Sequence, residues 1–479
     1  MRILIVSYLP KSFDDTRPNV FHHLRALESD ESAHELYYYN VFEEAPYWMD
    51  ADSPPDKDLG KEVRKERFDA VVLHYTFLSV RTVGHQFYCW KYRFNWLGDY
   101  EVPVVAIPQD EGNYAEILDE WLKELNVSVI FSVHFRENGP LYPLMRHRAM
   151  ILPCLPGYID AGSAKKQAAL ARPMNERAND IVYRAMRLPL RFGCAGRMKS
   201  LVADKVLDTG RRLRLQMDVS ADPDNPIPGN QWFDFLRSGR CAIGCEGGYS
   251  AIDWRGELTQ QIDNIMDADA PLTLEELNKK LPSGWDQYRL LTITPRHLEA
   301  AMTRTAQLLI EGEYKGILIP GRHYLPIKRD FSNLEEVLSA TRDYQKLQDM
   351  ADNVYADICM NKKYHYSTFA RQIGEAIRMA ESKKSKTDSP QREEATEKSL
   401  SRIVSSLETQ LIAERHRNML LEGKLSELLK KVALPGDDVK RTLEPIFTKG
   451  KRAMLSASLI MLFFMISVTI LLGFILWKL

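Results

Sequence analysis

The sequence predicts an α/β protein with two parallel sheets, and three observations support this prediction. Short runs of apolar residues recur along the first 380 positions, helical stretches separate them, and several runs end in polar residues. A run that is apolar at every position is typical of a strand covered on both faces, as in a parallel sheet flanked by helices. The chain is also long enough, because 479 residues with 45% hydrophobic side chains can form more than one large core.

Composition and charge argue against several classes of protein. The 64 lysines and arginines nearly balance the 65 aspartates and glutamates, so the net charge is −1 and we expect no nucleic-acid partner. The six cysteines form no CxxC pair, which is typical of reduced thiols in the cytoplasm. No cluster of His and Cys residues supports zinc, so we predict no required metal and no cofactor.

The first half of the fold is predicted over residues 1–165. Its strands are the apolar runs at 2–8, 68–74, 102–107, 127–133 and 151–152, and a helix is expected to start near Asn19. In parallel sheets ligands bind beyond the carboxyl ends of the strands. The polar residues that follow these runs should therefore face one cleft; they are His74, Tyr75, Asp110, Glu111 and His134.

The second half is predicted over residues 180–380. Strand-like runs lie at 181–184, 213–219, 241–245 and 306–310, and helices are expected near 232–237 and 296–304. Between the halves, residues 161–179 suit a hinge or linker. The sequence therefore predicts two Rossmann-like domains with a cleft between them.

Beyond the globular part, a linker is predicted at 381–398 and a coiled coil at 399–433. The linker segment has no aliphatic or aromatic side chain apart from alanine and proline. In the coiled coil, eight of ten heptad core positions are apolar and Asn418 occupies one of the others, which favours a parallel homodimer. A single amphipathic helix on the membrane or on the globular part is the alternative.

The last segment predicts a transmembrane helix over residues 453–477. These 25 residues carry no charge, and at 1.5 Å per residue they would span ~37 Å, enough for a bilayer core. Lys449, Lys451 and Arg452 precede the span and Lys478 follows it. This bias predicts a single-pass C-terminal anchor in the inner (cytoplasmic) membrane, with the globular part in the cytoplasm.

The common phosphate-binding fingerprints are missing. The sequence contains neither GxGxxG nor GxxxxGK[ST]. Two glycine-containing segments, 193–199 and 244–250, could bind a diphosphate through backbone N–H groups, with Arg197 or Lys199 adding charge, although each could also be an ordinary turn.

Several blocks together are more specific than any single turn. They are PRHLEAA (295–301), HYLPIKRDFSN (323–333), FDAVVLHYT (68–76), QDE (109–111), LPGY (155–158) and EGGYSAID (246–253). In these blocks the sequence resembles bacterial glycosyltransferases of the GT-B fold, in the broad group-1 class, and a branch with a "PRxxEA … HYxxxxxDFSN" pattern. The resemblance covers about residues 1–375.

This resemblance implies a nucleotide-sugar donor on the second domain and an acceptor approaching from the first. Glu299 occupies the position that binds the donor ribose. The other donor-binding candidates are Lys199, Glu246, Ser250, Arg296, Arg322 and Lys328. A catalytic base on the first domain would be His74, our first choice, or Asp110; Glu111, His22 and His23 are further candidates.

The sequence also departs from the family pattern. Many retaining members carry a glutamate eight positions before the one at Glu299, where this chain has Leu291. The stereochemistry of transfer therefore stays open. A metal-dependent GT-A enzyme would need a DxD motif, and Asp267-Ala-Asp269 fits only its letters.

The leading interpretation is a glycosyltransferase that moves a sugar from a nucleotide-sugar donor to an envelope glycan or lipid-linked acceptor at the cytoplasmic membrane face. The alternative is a non-catalytic GT-B-like scaffold that organises envelope glycan enzymes. A sugar-nucleotide epimerase is a weaker third hypothesis, because such an enzyme needs no membrane anchor.

Overall fold

Six parallel strands form the first sheet, and five of them coincide with predicted apolar runs. The computed structural model describes residues 1–10, 12–29, 34–44, 60–82, 86–135, 140–222, 226–265 and 273–387, all within the unit Met1–Arg402. The strands, in the spatial order β2-β1-β3-β4-β5-β6, are β1 (Arg2–Ser7), β2 (Glu35–Asn40), β3 (Ala70–His74), β4 (Val104–Ile107), β5 (Val129–Ser132) and β6 (Met150–Pro153). The unpredicted strand, β2, lies at the edge and is half-exposed, so its sequence lacks a continuous apolar run.

Helices cover both faces of this sheet. They are α1 (Pro18–Leu24), α2 (Val41–Glu44), α3 (Tyr75–Leu78), α4 (Gln86–Arg93) and α5 (Ala115–Glu124). Successive side chains of β1 point to opposite faces, so Leu4 joins one core cluster while Ile3 and Ile5 join another. Burial on both faces is the reason that the strand sequence is apolar throughout.

The chain of the second half begins with α6 (Ala161–Ala169). Its sheet has five parallel strands, β7 (Asn179–Arg184), β8 (Met217–Ser220), β9 (Gly239–Gly244), β12 (Ala306–Ile310) and β13 (Leu325–Ile327), in the spatial order β13-β12-β9-β7-β8. Two further strands, β10 (Gly247–Tyr249) and β11 (Leu290–Thr292), form a separate antiparallel pair. The helices of this half are α7 (Gly193–Arg212), α8 (Gly229–Ser238), α9 (Glu257–Ile265), α10 (Leu274–Lys280), α11 (Pro295–Met302), α12 (Leu334–Ser339) and α13 (Tyr344–Val354).

Two predicted loops are helical. The segment 161–179, predicted as a hinge, contains α6, which Asp160 caps by accepting a hydrogen bond from the backbone N–H of Ser163 at 2.7 Å. The glycine-containing segment 193–199 is the first part of the 20-residue helix α7 rather than a turn.

The last described helix, α14 (Tyr366–Thr387), corrects two predicted boundaries. Its residues Phe369, Ile373 and Ile377 share a core cluster with β1 and β3 of the first sheet. Residues 366–380 therefore pack on the first half, whereas the sequence predicts them as part of the second domain. Residues 381–387 of the predicted linker continue the helix.

The two halves meet where the β10–β11 pair touches the loop before α5. The backbone N–H of Gly112 donates to the hydroxyl of Tyr249 at 2.5 Å. A Cβ at Gly112 would lie 2.2 Å from the Tyr249 ring, so this contact requires a glycine. Beside it, Asn113 and Asp253 pair as an isolated bridge, which joins the halves through main-chain bonds.

The remaining predictions for the C-terminal region lie outside the described residues. These are the rest of the linker (388–398), the coiled coil (399–433) with its homodimer, and the transmembrane helix (453–477). Within the described ranges, the helices are too short or too polar to cross a membrane.

A cleft with unpaired cations and a buried glutamate

A cavity of about 610 Å³ lies between the two sheets, beyond the carboxyl ends of their strands. This is the place where open parallel sheets bind ligands. The first half contributes Asp15–Asn19, Gln109, Asp110, Val133 and His134, and the second half contributes Arg184–Met186, Lys199, Trp232, Gly247–Tyr249, Thr292–Arg296 and Glu299.

Glu299 lies in the wall of this cavity on α11 and is 8% exposed. Its Oε2 accepts a hydrogen bond from the indole N–H of Trp232 at 2.7 Å, which fixes the side chain. The backbone N–H of Asn19 lies near this carboxylate, but Oε1 has no hydrogen-bond partner within the described chain. Burial raises the pKa of Glu299. One carboxylate oxygen is therefore held by the protein, and the other can serve a ligand.

Three cations of the cavity wall form no ion pair with a described carboxylate. Within the described residues, no carboxylate lies within 4.0 Å of the charged groups of Arg17, Lys199 or Arg296. Burial, and secondarily the charge of Arg296, lower the pKa of Lys199. The Arg296 guanidinium lies over the rings of Tyr183 (5.2 Å) and Trp232 (5.9 Å). Unpaired cations in a partly buried cavity favour an anionic ligand.

Three further groups of the cavity are suited to hydroxyls, two on the first half and Thr292 on the second. Asp110 is exposed to the cavity and has a left-handed backbone, with φ of 51°. His134 is 2% exposed, and burial lowers its pKa to about 3, so the imidazole is neutral at pH 7. The hydroxyl of Thr292 is buried and, like Nδ1 of His134, has no hydrogen-bond partner in the described part of the chain.

The structure corrects the choice of His74 as the catalytic base. Nδ1 of His74 accepts a hydrogen bond from the backbone N–H of Thr76 at 3.2 Å and thereby caps α3. The proton of the neutral ring is then on Nε2, which donates to Nδ1 of His23 at 3.0 Å. Nδ1 is thus used by Thr76 and Nε2 by His23, and His74 does not line the cavity. His74 therefore has no free lone pair to receive a proton from an acceptor.

Four predicted donor-binding residues also lie away from the cavity lining. The Glu246 carboxylate accepts from the backbone N–H of Tyr314 at 2.9 Å. The hydroxyl of Ser250 accepts from the backbone N–H of Ala195 at 3.0 Å and holds the start of α7. Arg322 pairs with Asp357 at 2.8 Å on the surface, and Lys328 is exposed. Of the predicted site residues, the cavity brings together Asp110, Lys199, Arg296 and Glu299.

The other candidate bases have structural contacts. Glu111 is fully buried and accepts hydrogen bonds from Ser132 (2.7 Å), Tyr142 (2.6 Å) and the backbone of Val133 (2.8 Å), and burial raises its pKa. His23 is paired with His74, and His22 lies 3.4 Å from the hydroxyl of Ser163. The DxD letters at 267–269 fall outside the described residues, and the described residues hold no cluster of metal ligands.

Sequence reasoning missed three residues of the cavity wall: Arg17, Trp232 and Thr292. Arg17 precedes Pro18, a residue favoured at the first position of a helix, so the sequence did indicate that Arg17 lies at a helix start. No sequence pattern indicates Trp232 or Thr292. Trp232 belongs to the site because it bonds Glu299, and Thr292 because its buried hydroxyl has no partner in the described chain, and both features appear only in the folded chain.

The buried histidine pair leads to a prediction about acid stability. Burial lowers the pKa of His23 to about 4, against 6.5 in the unfolded chain. Between pH 6.5 and 4 the unfolded chain binds a proton at His23 that the folded protein does not bind. The folded state therefore keeps its full stability above pH 6.5 and loses part of it as pH falls from 6.5 towards 4. We expect urea unfolding to show this loss. His23→Gln keeps an acceptor for His74 but cannot titrate, so its stability should fall less with pH; parallel curves for the two proteins would contradict the prediction.

The fold consists of two parallel β-sheets, each flanked by helices, that face each other across a ligand cleft. This is the arrangement of two Rossmann-like domains, and this part of the predicted fold class is confirmed. No known family model matches the sequence, and no curated protein matches it.

Similar solved structures include HepE of Anabaena in complex with UDP and glucose (13% identity, 79% of this chain and 100% of that chain, TM-score 0.37). Trehalose-6-phosphate synthase OtsA (11%, 79% and 99%, TM-score 0.42) and an α-glucosyltransferase in complex with UDP and a 13-mer DNA (10%, 79% and 99%, TM-score 0.41) are also similar.

Proposed function

We propose that this protein is a nucleotide-sugar-dependent glycosyltransferase. The observation that carries the proposal is that the Glu299 carboxylate and three cations without an ion pair in the described chain line one cavity, at the cleft between two parallel sheets. A nucleoside diphosphate combines vicinal ribose hydroxyls with adjacent phosphates. This site offers a buried carboxylate oxygen for the hydroxyls and cations for the phosphates.

The cations supply the electrostatic part of the mechanism. Lys199 and Arg296 come from the second half and Arg17 from the first, so a diphosphate between them would contact both halves. When the glycosidic bond breaks, negative charge grows on the departing diphosphate. Cations held in place before the reaction stabilise this charge without reorganising, which is the largest contribution that such a site can make.

Asp110 and His134 of the first half, together with Thr292 of the second, supply groups for the sugar and the acceptor. We assign Asp110 as the group that accepts the proton of the acceptor hydroxyl, because its carboxylate is exposed to the cavity on the first half. Neutral His134 and the hydroxyl of Thr292 are suited to hydrogen bonds with sugar hydroxyls. These assignments replace His74.

The acceptor is proposed from the tail rather than from the cavity. An anchor at 453–477 would concentrate the enzyme where lipid-linked acceptors lie, so we propose an envelope glycan or glycolipid acceptor at the cytoplasmic membrane face. The coiled coil would make the protein a homodimer.

A thermal-shift panel tests the proposal. The full-length chain in detergent is incubated with UDP, GDP, ADP and CMP, and we expect one of them to raise the unfolding temperature. A ligand at 100 times its dissociation constant stabilises the folded state by about 2.7 kcal/mol, which is an easily measured shift. If none of the nucleotides shifts the transition, the glycosyltransferase proposal fails and the scaffold alternative replaces it.

We also predict a selective effect of Thr292. Thr292→Val removes the buried hydroxyl and keeps the shape, so it should weaken binding of the nucleotide sugar by roughly 0.5–1.5 kcal/mol. The affinity for the free nucleoside diphosphate should stay unchanged. Thr292→Ser is the matched control, since it keeps the hydroxyl. Calorimetry with both ligands measures the difference, and an equal loss for both would contradict a role in binding the sugar.

The orientation in the membrane gives another prediction. The basic residues before 453–477 predict that protease added outside intact cells leaves the globular part uncut. The same protease should digest it after the cells are opened. Digestion in intact cells would reverse the proposed orientation.

A further inference from the structure

Arg81 is a buried arginine whose hydrogen bonds all go to main-chain carbonyls. It is 1% exposed and follows helix α3. Its donors bond the carbonyl of Leu78 (2.9 Å) and then three carbonyls of the loop between β4 and α5: Gln109 (3.0 Å), Asp110 (2.7 Å) and Asn113 (3.0 Å). The described residues place no carboxylate within 4.0 Å of its guanidinium.

An arginine buried in this way is costly, because it loses its hydration without forming a direct ion pair. Burial lowers its pKa, and the charges of Asp110 and Glu111 offset this lowering only in part. The bonds that it makes are concentrated on the loop 109–113, so they hold this loop in one conformation. A lysine could not replace them, since its single ammonium lacks the planar fork that reaches carbonyls in several directions.

The loop that Arg81 holds carries part of the cavity wall. Gln109 and Asp110 line the cavity, and Asp110 has a left-handed backbone with φ of 51°, which is uncommon for a residue other than glycine. Such a conformation persists where surrounding contacts impose it. The bonds from Arg81 to the carbonyls on both sides of this residue are such contacts.

We propose that Arg81 is a positioning residue that aims the Asp110 carboxylate at the acceptor side of the cavity. The inference rests on the proposed glycosyltransferase function. Arg81 itself does not line the cavity and would not contact the substrate. Loss of the guanidinium would let the 109–113 loop relax, so proton transfer would slow while the donor site on the second half stayed intact.

Arg177 provides a matched control. It is also a buried arginine, 3% exposed, and it donates to the carbonyls of Arg172, Gly239 and Arg304 on the second half. None of these partners lines the cavity. Substitution of either arginine by lysine should lower the unfolding temperature, whereas only Arg81→Lys should lower kcat.

The test is a double-mutant cycle of Arg81→Lys and Asp110→Ala in the full-length protein. The donors offered are UDP-glucose, UDP-N-acetylglucosamine and GDP-mannose. The measured quantity is the release of nucleotide in the presence of envelope membranes. Arg81→Lys should lower kcat at least tenfold and change the Kd of the nucleoside diphosphate less than twofold. In an Asp110→Ala background it should lower kcat less than twofold, because the group that it positions is gone. Arg177→Lys should leave kcat within twofold of wild type.

Two results would overturn the inference: an unchanged kcat for Arg81→Lys, or an equal further loss in the Asp110→Ala background. If Arg81→Lys does not fold, Arg81→Gln, which keeps one amide donor, takes its place in the same cycle. A wild-type protein that binds none of the nucleotides would instead refute the proposed function, and the Kd measurement made first separates the two failures.

Discussion

Glu299→Ala is expected to weaken nucleoside diphosphate binding by roughly 1.5–3 kcal/mol, the range for a hydrogen bond to a charged group. This corresponds to a dissociation constant about 10- to 150-fold higher, at about 1.4 kcal/mol per factor of ten. The physical reason is that one oxygen of this carboxylate is already held by Trp232, so the side chain is placed before the ligand arrives. Calorimetry with the best nucleotide of the panel measures the change.

Two variants control this result. Glu299→Gln keeps the shape and one acceptor and should lose less affinity than the alanine variant. Glu336→Ala removes an exposed glutamate on α12, outside the cavity lining, and should change nothing. Because the pKa of Glu299 is raised by burial, wild-type affinity should also fall as pH drops and the carboxylate becomes protonated, whereas the glutamine variant should lack this dependence. Equal losses for Glu299→Ala and Glu336→Ala would contradict a role of Glu299 in the site.

Lys199→Met is expected to weaken the same binding by a similar amount, roughly 1.5–3 kcal/mol, because a charged partner of the diphosphate is lost. The pH dependence has the opposite sign to that of Glu299. Burial lowers the pKa of free Lys199, and a bound diphosphate would raise it, so affinity should fall as pH rises through the pKa of the free protein. Titrations between pH 7 and 10 measure this slope.

Lys199→Arg separates charge from structure. Arginine stays protonated at every pH of the titration, so this variant should lose the alkaline fall in affinity even if its absolute affinity differs. Lys205→Met is the matched control, since Lys205 is exposed on the same helix, α7. An alkaline slope that survives in Lys199→Arg would show that another group is responsible.

The strands were the part of the fold that the sequence predicted best. Residues 2–7 and 104–107 lie in the first sheet, which is covered on both faces, and this coverage favours apolar side chains along the whole strand. The edge strand β2 is half-exposed, so its sequence does not need to be apolar throughout and was not recognised as a strand. Helix α6 was not recognised because its start depends on the cap at Asp160. The return of α14 to the first sheet is a long-range contact that no local pattern encodes.

The candidate site was predictable to the extent that a motif or a strand end located it. The PRHLEAA block (295–301) located Arg296 and Glu299, and the position of Asp110 after a strand end located that residue. The same rule failed for His74, because it gives the edge of the sheet and not the direction of a side chain, and the ring turns inward to cap α3. Thr292 could not be found from the sequence, because its buried hydroxyl without a hydrogen-bond partner is a feature of the folded chain. The same holds for Arg81, whose hydrogen bonds go to carbonyls far away in the sequence.

The most direct test of the central claim is the transfer of a labelled sugar. Full-length protein is incubated with envelope membranes and with each of several nucleotide sugars that carry a radioactive sugar. The account predicts that one donor transfers label to a lipid or polysaccharide fraction, that Glu299→Ala and Asp110→Ala reduce this transfer, and that Glu336→Ala does not. Binding of a nucleotide by the wild-type protein without any transfer or release of sugar would contradict the claim that this protein is a glycosyltransferase.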